Sequence, residues 1–169
     1  INETWNDLPE IEGSVDDGIG DASLSPDQTC LLIVTNNNTM LLMTNTFDVI
    51  NEIPIEPRQK NTLCRISWSG DSMQFVLYSV DAVDNIARVR FYNRDLILLG
   101  EARTAADGPN SIVKNLLPAL SYAPNGSMIA IAQQKTPKKQ HIAILERTGL
   151  KHGEFEIQTP WIQENNLDE

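Results

Sequence analysis

Apolar residues recur at every second position in short runs along this chain, and each run closes in a cluster of Pro, Gly, Asp or Asn. A period of two places alternate side chains on one face of an extended strand. The closing residues either fix φ or tolerate the left-handed region that tight turns require. Three such segments superimpose without gaps: Ala22-Ser23-Leu24-Ser25-Pro26-Asp27, Ile66-Ser67-Trp68-Ser69-Gly70-Asp71 and Leu120-Ser121-Tyr122-Ala123-Pro124-Asn125. Their turns begin at Ser25, Ser69 and Ala123, spaced 44 and 54 residues apart. Beyond each turn the apolar pairs Leu31 and Ile33, Phe75 and Leu77, and Ile129 and Ile131 continue the match. The residue before each turn, Leu24, Trp68 or Tyr122, is large enough to pack between neighbouring sheets.

A third strand follows in each unit at 39–43, 88–92 and 142–146, and a polar turn leads to a fourth at 49–53, 96–100 and 154–157. Four short antiparallel strands repeated at such a period predict β-propeller blades. The chain therefore reads as all-β, a partial β-propeller of three to four four-stranded antiparallel blades. The blade-like repeats fall at about 18–55, 62–102 and 118–158 of one domain fragment spanning 1–169. A fourth blade requires strands from 1–17 and 161–169. Closed propellers have about four to eight blades, so further blades are expected outside this chain, and the end blades should present faces without neighbours.

The units differ mainly between their second and third strands. That connection is short at Asn36-Asn37-Asn38, longer at 81–86 and longest at 133–140. Insertions confined to one loop class fall on one face, commonly the binding face of a repeat protein. A second variable stretch, 102–117, accounts for the longer spacing, and Pro54 and Pro57 are expected just past an outer strand, where no ladder partner is lost.

Composition adds boundaries rather than chemistry. With 169 residues, 41% hydrophobic and 21% charged, the chain matches folded globular protein. It opens at Ile1 and closes at Leu167-Asp168-Glu169, and neither end reads as a natural start or cap, so a longer parent is expected. The longest apolar run, Cys30-Leu31-Leu32-Ile33-Val34, fits one buried strand and falls well short of the roughly 20 residues that span a bilayer. The amino end carries no leader pattern, so the expectation is a soluble intracellular protein without membrane contact. A net charge of −10 opposes binding to phosphate backbones. Cys30 and Cys64 sit beside apolar residues and read as core thiols rather than a disulfide.

Candidate chemistry is sparse. His152 lies between Gly149 and Gly153 and reads as a turn-fixing residue, and His141 precedes an alternating strand. Asp16, Asp17 and Asp21 lack calcium-loop spacing and read as solvated charge. Ser23, Ser67 and Ser121 share one repeated strand position without a nucleophile elbow, and Gly18-Ile19-Gly20 lacks the rest of a dinucleotide fingerprint. Lys135, Lys138 and Lys139 form the basic island of an acidic chain and read as a solvated loop tip, with contact to phosphate or an acidic subunit as the alternative. Arg88, Arg90 and Arg94 are expected in surface or inter-blade pairs. No catalytic, cofactor-binding or metal-ligating residue is expected, and no cofactor.

Several strings carry a family resemblance. They are Arg65-Ile66-Ser67-Trp68-Ser69-Gly70-Asp71, Arg88-Val89-Arg90-Phe91-Tyr92-Asn93-Arg94, Leu120-Ser121-Tyr122-Ala123-Pro124-Asn125-Gly126-Ser127-Met128-Ile129-Ala130, and above all Leu145-Glu146-Arg147-Thr148-Gly149-Leu150-Lys151-His152-Gly153-Glu154-Phe155. Together, from about Ala22 to Ile157, they resemble the amino-terminal WD-repeat region of the largest subunit of the Elongator complex, also called the IκB-kinase-complex-associated protein family. Ser69, Tyr122 and Thr148 depart from the residues usual there, which are Arg, Trp and Asn.

The resemblance implies a non-catalytic scaffold supporting wobble-uridine modification of transfer RNA, with roles in translation and transcription elongation. It also implies two partner subunits, the catalytic acetyltransferase and a second WD-repeat subunit. Transfer RNA would be met through the complex, the parent would be a homodimer through regions absent here, and the location would be cytoplasmic and also nuclear. Two alternatives stand beside it. One is an unrelated WD-repeat interaction adaptor. The other is a propeller hydrolase, disfavoured because the innermost strands carry no carboxylate pair.

Overall fold

A computed structural model describes residues 18–55, 63–80, 86–105, 119–136 and 139–158. Twelve strands among them form three separate four-stranded sheets. The first contains β1 (Ile19–Leu24), β2 (Cys30–Thr35), β3 (Thr39–Thr44) and β4 (Val49–Pro54). The second contains β5 (Leu63–Trp68), β6 (Gln74–Val80), β7 (Ile86–Asn93) and β8 (Leu98–Ala105). The third contains β9 (Ala119–Tyr122), β10 (Met128–Thr136), β11 (Lys139–Glu146) and β12 (Lys151–Gln158). Every sheet is an antiparallel meander in chain order, the arrangement of a propeller blade.

The repeated turns form because their side chains satisfy the reversing backbone. Ser25 Oγ donates to Asp27 Oδ1 at 2.5 Å and accepts from the Cys30 amide at 3.0 Å. Ser69 repeats this with Asp71 at 2.6 Å and the Gln74 amide at 3.1 Å. The third residue after each anchor, Gln28, Ser72 or Gly126, takes φ of 60°, 60° or 67°. Pairing then sets Leu24 opposite Leu31, Trp68 opposite Phe75 and Tyr122 opposite Ile129, so the three aligned positions are structurally equivalent.

The core lies in the two seams between blades. Leu32, Val34, Met40 and Leu42 of the first blade meet Ile66, Trp68, Phe75 and Leu77 of the second. Within that seam the Trp68 and Phe75 rings sit 5.0 Å apart, and Phe75 stacks on Tyr92 at 5.4 Å. Val76, Tyr78, Val89 and Phe91 meet Ile129, Ile131 and Leu145 of the third blade. Strand β6 is thus buried on both faces. Each fully buried Phe or Leu contributes about 1.5–3 kcal/mol relative to exposure.

Equivalence of position does not bring equal burial. Trp68 is buried and Tyr122 half-buried, but Leu24 is 49% exposed. This row of each blade faces the preceding blade, and no described residue covers it on the first.

Three boundaries also differ from expectation. The outer strand of the second blade starts at Leu98, because Leu96 occupies the hairpin with φ of 64°. Strand β12 starts at Lys151 rather than at 154, and Pro54 ends β4 inside the strand. Pairing of β10 with β11 continues into the stretch expected as a long loop, with Gln133 opposite His141 and Thr136 opposite Lys139. Residues 1–17, Pro57, 81–85, 106–118, 137–138 and 161–169 lie outside the described residues, so the strands that a fourth blade requires are not among those described.

Candidate functional site

The first strands of successive blades lie side by side, β1 beside β5 and β5 beside β9. Their polar groups serve the joints. Asp21 Oδ2 accepts from the Ile66 amide at 2.7 Å, and the Ser23 carbonyl accepts from Trp68 Nε1 at 3.1 Å. Asp21 is therefore an inter-blade tie rather than solvated charge, while Asp16 and Asp17 lie outside the described residues. Gly20 approaches the second blade so closely that a Cβ there would stand 3.0 Å from Cys64 Sγ, giving the Gly18-Ile19-Gly20 pair a packing role. Both cysteines are free and buried, and burial, reinforced by the Asp21 charge, pushes the Cys64 thiol up to about 11. Ser23, Ser67 and Ser121 occupy one repeated position, as their alignment required.

Farther out, the seams are tied by charge. Arg94 reaches back across the first seam to Asp27 Oδ2 at 2.9 Å and Cys30 Sγ at 2.9 Å, and also meets Thr29 Oγ1. Hydrogen bonds from Ser25, Thr29 and Arg94 hold the Asp27 carboxyl well below the ordinary carboxylate range. Hydrogen bonds from Ser69 and the Met73 amide within its own turn, and the charge of Arg147 across the second seam, lower Asp71 in the same sense. Arg94 and Arg147 occupy the same hairpin position, each donating its amide to a turn carbonyl, Met73 or Ser127. Arg88 and Arg90 pair within their blade with Glu101, at 3.3 and 2.9 Å. The outer seam is closer still, since a Cβ at Gly100 would fall 2.0 Å from the Thr148 carbonyl oxygen.

The two histidines stand apart from each other's partners. His141 Nε2 lies 2.8 Å from Glu154 Oε2, a cross-strand neighbour that sequence distance concealed, and Lys151 shares that carboxylate. His152 is exposed beside the β11–β12 hairpin, with Nδ1 3.6 Å from Glu146 Oε1. Lys139 pairs with Glu156 at 3.6 Å at the start of β11, residue 135 falls at the register shift between Gln134 and Thr136, and Lys138 is outside the described residues. Among the described residues no three His, Cys, Asp or Glu side chains gather as metal ligands would. What the arrangement does chemically is hold sheet against sheet.

Comparison with known proteins agrees with this geometry. Curated relatives include Elongator complex protein 1 of Mus musculus, 28% identical over 191 aligned residues that cover 88% of this chain and 13% of the relative. The Saccharomyces cerevisiae protein of the same name is 24% identical, covering 90% of this chain and 16% of its own length. The chain thus spans only a small part of the relatives it matches. Among solved structures, a crystal structure of the eukaryotic initiation factor superposes with a TM-score of 0.64 at 15% identity, over 85% of this chain and 33% of that one. The carboxy-terminal WD40 domain of Sif2 gives 0.61 at 15%, over 84% and 38%. These two likenesses establish the WD40 propeller fold. Residues 2–63 and 57–167 match the family described as the ELP1 first N-terminal beta-propeller, and the chain belongs to that family.

Proposed function

We propose that this chain is a non-catalytic scaffold segment of the Elongator complex, supporting wobble-uridine modification of transfer RNA. The observation that carries the reading is the family match along nearly the whole chain, joined to a structure whose polar side chains are spent on joints between blades. The open row at Leu24 and the greater length of the relatives support further blades in the same propeller. In this reading the acetyltransferase subunit supplies the chemistry, and a second WD-repeat subunit is a partner. Transfer RNA is met by the assembly, in cytoplasm and nucleus, and the parent dimerises through regions beyond this segment. The test is deletion of the parent gene followed by mass spectrometry of transfer-RNA nucleosides. Loss of wobble-uridine modification, restored by the full-length chain, is expected. Unchanged modification overturns the proposal.

A further inference from the structure

We propose that the outer rim shared by the first two blades docks a partner-protein segment carrying paired apolar anchors flanked by Lys or Arg. Strands β4, β8 and β12 are the outer edge of their sheets, and each follows a hairpin closed in the same way. Thr44, Asn93 and Glu146 donate their amides to the carbonyls of Asp48, Ile97 and Leu150. The next two residues are therefore equivalent from blade to blade: Val49 and Ile50, Leu98 and Leu99, Lys151 and His152. A bulge falls here in every blade, between Leu42 and Met43, Phe91 and Tyr92, and Ile144 and Leu145. The inserted residue widens what the edge shows to solvent.

In the first two blades these positions are apolar and exposed: Val49 58%, Ile50 53%, Leu98 50% and Leu99 43%. The second blade is an internal control. Leu98 has a preceding blade in place and stays half-exposed, so a blade set before the first would leave Val49 exposed as well. The two stretches adjoin, because Asn51 Nδ2 donates to the Asp95 carbonyl at 3.2 Å. Single exposed apolar residues need no explanation, but a strip continued across two blades marks a contact surface.

Charge selects the occupant. Asp48, Glu52 and Asp95 are exposed along the strip, while Arg88, Arg90 and Arg94 are engaged by Glu101 and Asp27. A basic segment with apolar anchors complements that pattern, and the edge backbone offers it strand pairing. At the third blade the equivalent pair is Lys151 and His152, so the paired apolar positions stop there, although Leu150 beside them is exposed. The inference rests on the scaffold reading only in expecting the segment to belong to a subunit of the same assembly.

The test places a benzophenone amino acid at position 50 or 99 of the full-length parent in its own cells, with position 151 as control. After irradiation, the captured peptide is identified by mass spectrometry. Capture at 50 and 99, but not 151, of one segment bearing large apolar residues beside Lys or Arg is expected. Its yield should fall about tenfold in the Asp48→Lys, Asp95→Lys double variant, and fall likewise, without substitution, when salt is raised to about 0.5 M before irradiation. Equal capture at 151, capture of an acidic segment or of a second copy of this chain, or a yield indifferent to both charge reversal and salt overturns the proposal. Capture of a basic segment from a parent lacking any acetyltransferase partner would sink the scaffold reading and leave the docking surface. Co-purification of that partner without capture at 50 or 99 would do the reverse.

Discussion

Replacing Gly100 by Ala tests the closest approach between blades. Gly100 of β8 pairs with Phe91 of β7, and its added Cβ would stand 2.0 Å from Thr148 O and 2.7 Å from Thr148 C. Carbon and oxygen rest at about 3.3 Å or more, so the hairpin of the third blade must retreat by about an ångström. The obstacle is backbone, which cannot swing aside as a side-chain tip can. Overpacking of this kind costs about 1–3 kcal/mol, against a gain of about 0.4–1 kcal/mol from restricting the unfolded chain, leaving a net loss of about 1–2 kcal/mol. The retreat loosens Ile129, Ile131 and Leu145 from Val76 and Phe91 and leaves the first seam untouched. Hydrogen exchange on the parent protein should therefore quicken in β6, β8, β10 and β12 and stay unchanged in β2 and β3. Gly153 holds the equivalent position opposite Ile144, yet a Cβ there meets nothing within 4 Å. Gly153→Ala is expected to be neutral in the 169-residue chain and costly in the parent, where a following blade seats its hairpin. An unchanged exchange pattern in Gly100→Ala, or quickening spread evenly over both seams, would refute the reasoning.

Three further outcomes are expected. Tyr122 matches Trp68 in register but leaves its buried hydroxyl without a partner, so Tyr122→Trp should raise the denaturation midpoint by giving the Ser67 carbonyl the bond that Ser23 receives, worth about 0.5–1.5 kcal/mol; a lowered midpoint counts against the equivalence. The folded Cys64 thiol titrates at about 11, above the roughly 8.5 of an unfolded thiol. Its contribution is complete below the unfolded value and is lost as pH rises through that interval, so part of the alkaline loss of stability between about pH 9 and 11 should vanish in Cys64→Val. The isolated 169-residue chain should unfold broadly and associate with concentration, because the row at Leu24 lies open; a sharp two-state transition in a strict monomer would contradict this.

Much of the fold was legible because a propeller repeats its local chemistry. The Ser25, Ser69 and Ala123 turns, with the apolar pairs after them, fix strand order and register from the sequence itself. The seams were not legible in the same way. Asp21 meets the Ile66 amide 45 residues away, about one blade spacing, yet the repeat does not say that a carboxylate will bond there, and Arg94 meets Asp27 67 residues away, a separation that matches no blade spacing. Gly100 carries no local mark of the carbonyl that lies against it. The pairing of β10 with β11 continues to Thr136 and Lys139, where alternation of apolar residues has ceased, and the run 96–99 looks like uninterrupted strand although Leu96 turns through the left-handed region. Exposure of Leu24 follows from a neighbour that a self-comparison treats as present.

The central claim is that this propeller segment belongs to an Elongator scaffold, and it is tested most directly by purifying the tagged full-length parent from its own cells and quantifying its partners by mass spectrometry. The account predicts the acetyltransferase subunit and a second WD-repeat subunit in amounts comparable to the parent. Recovery of the intact parent with neither subunit would contradict it.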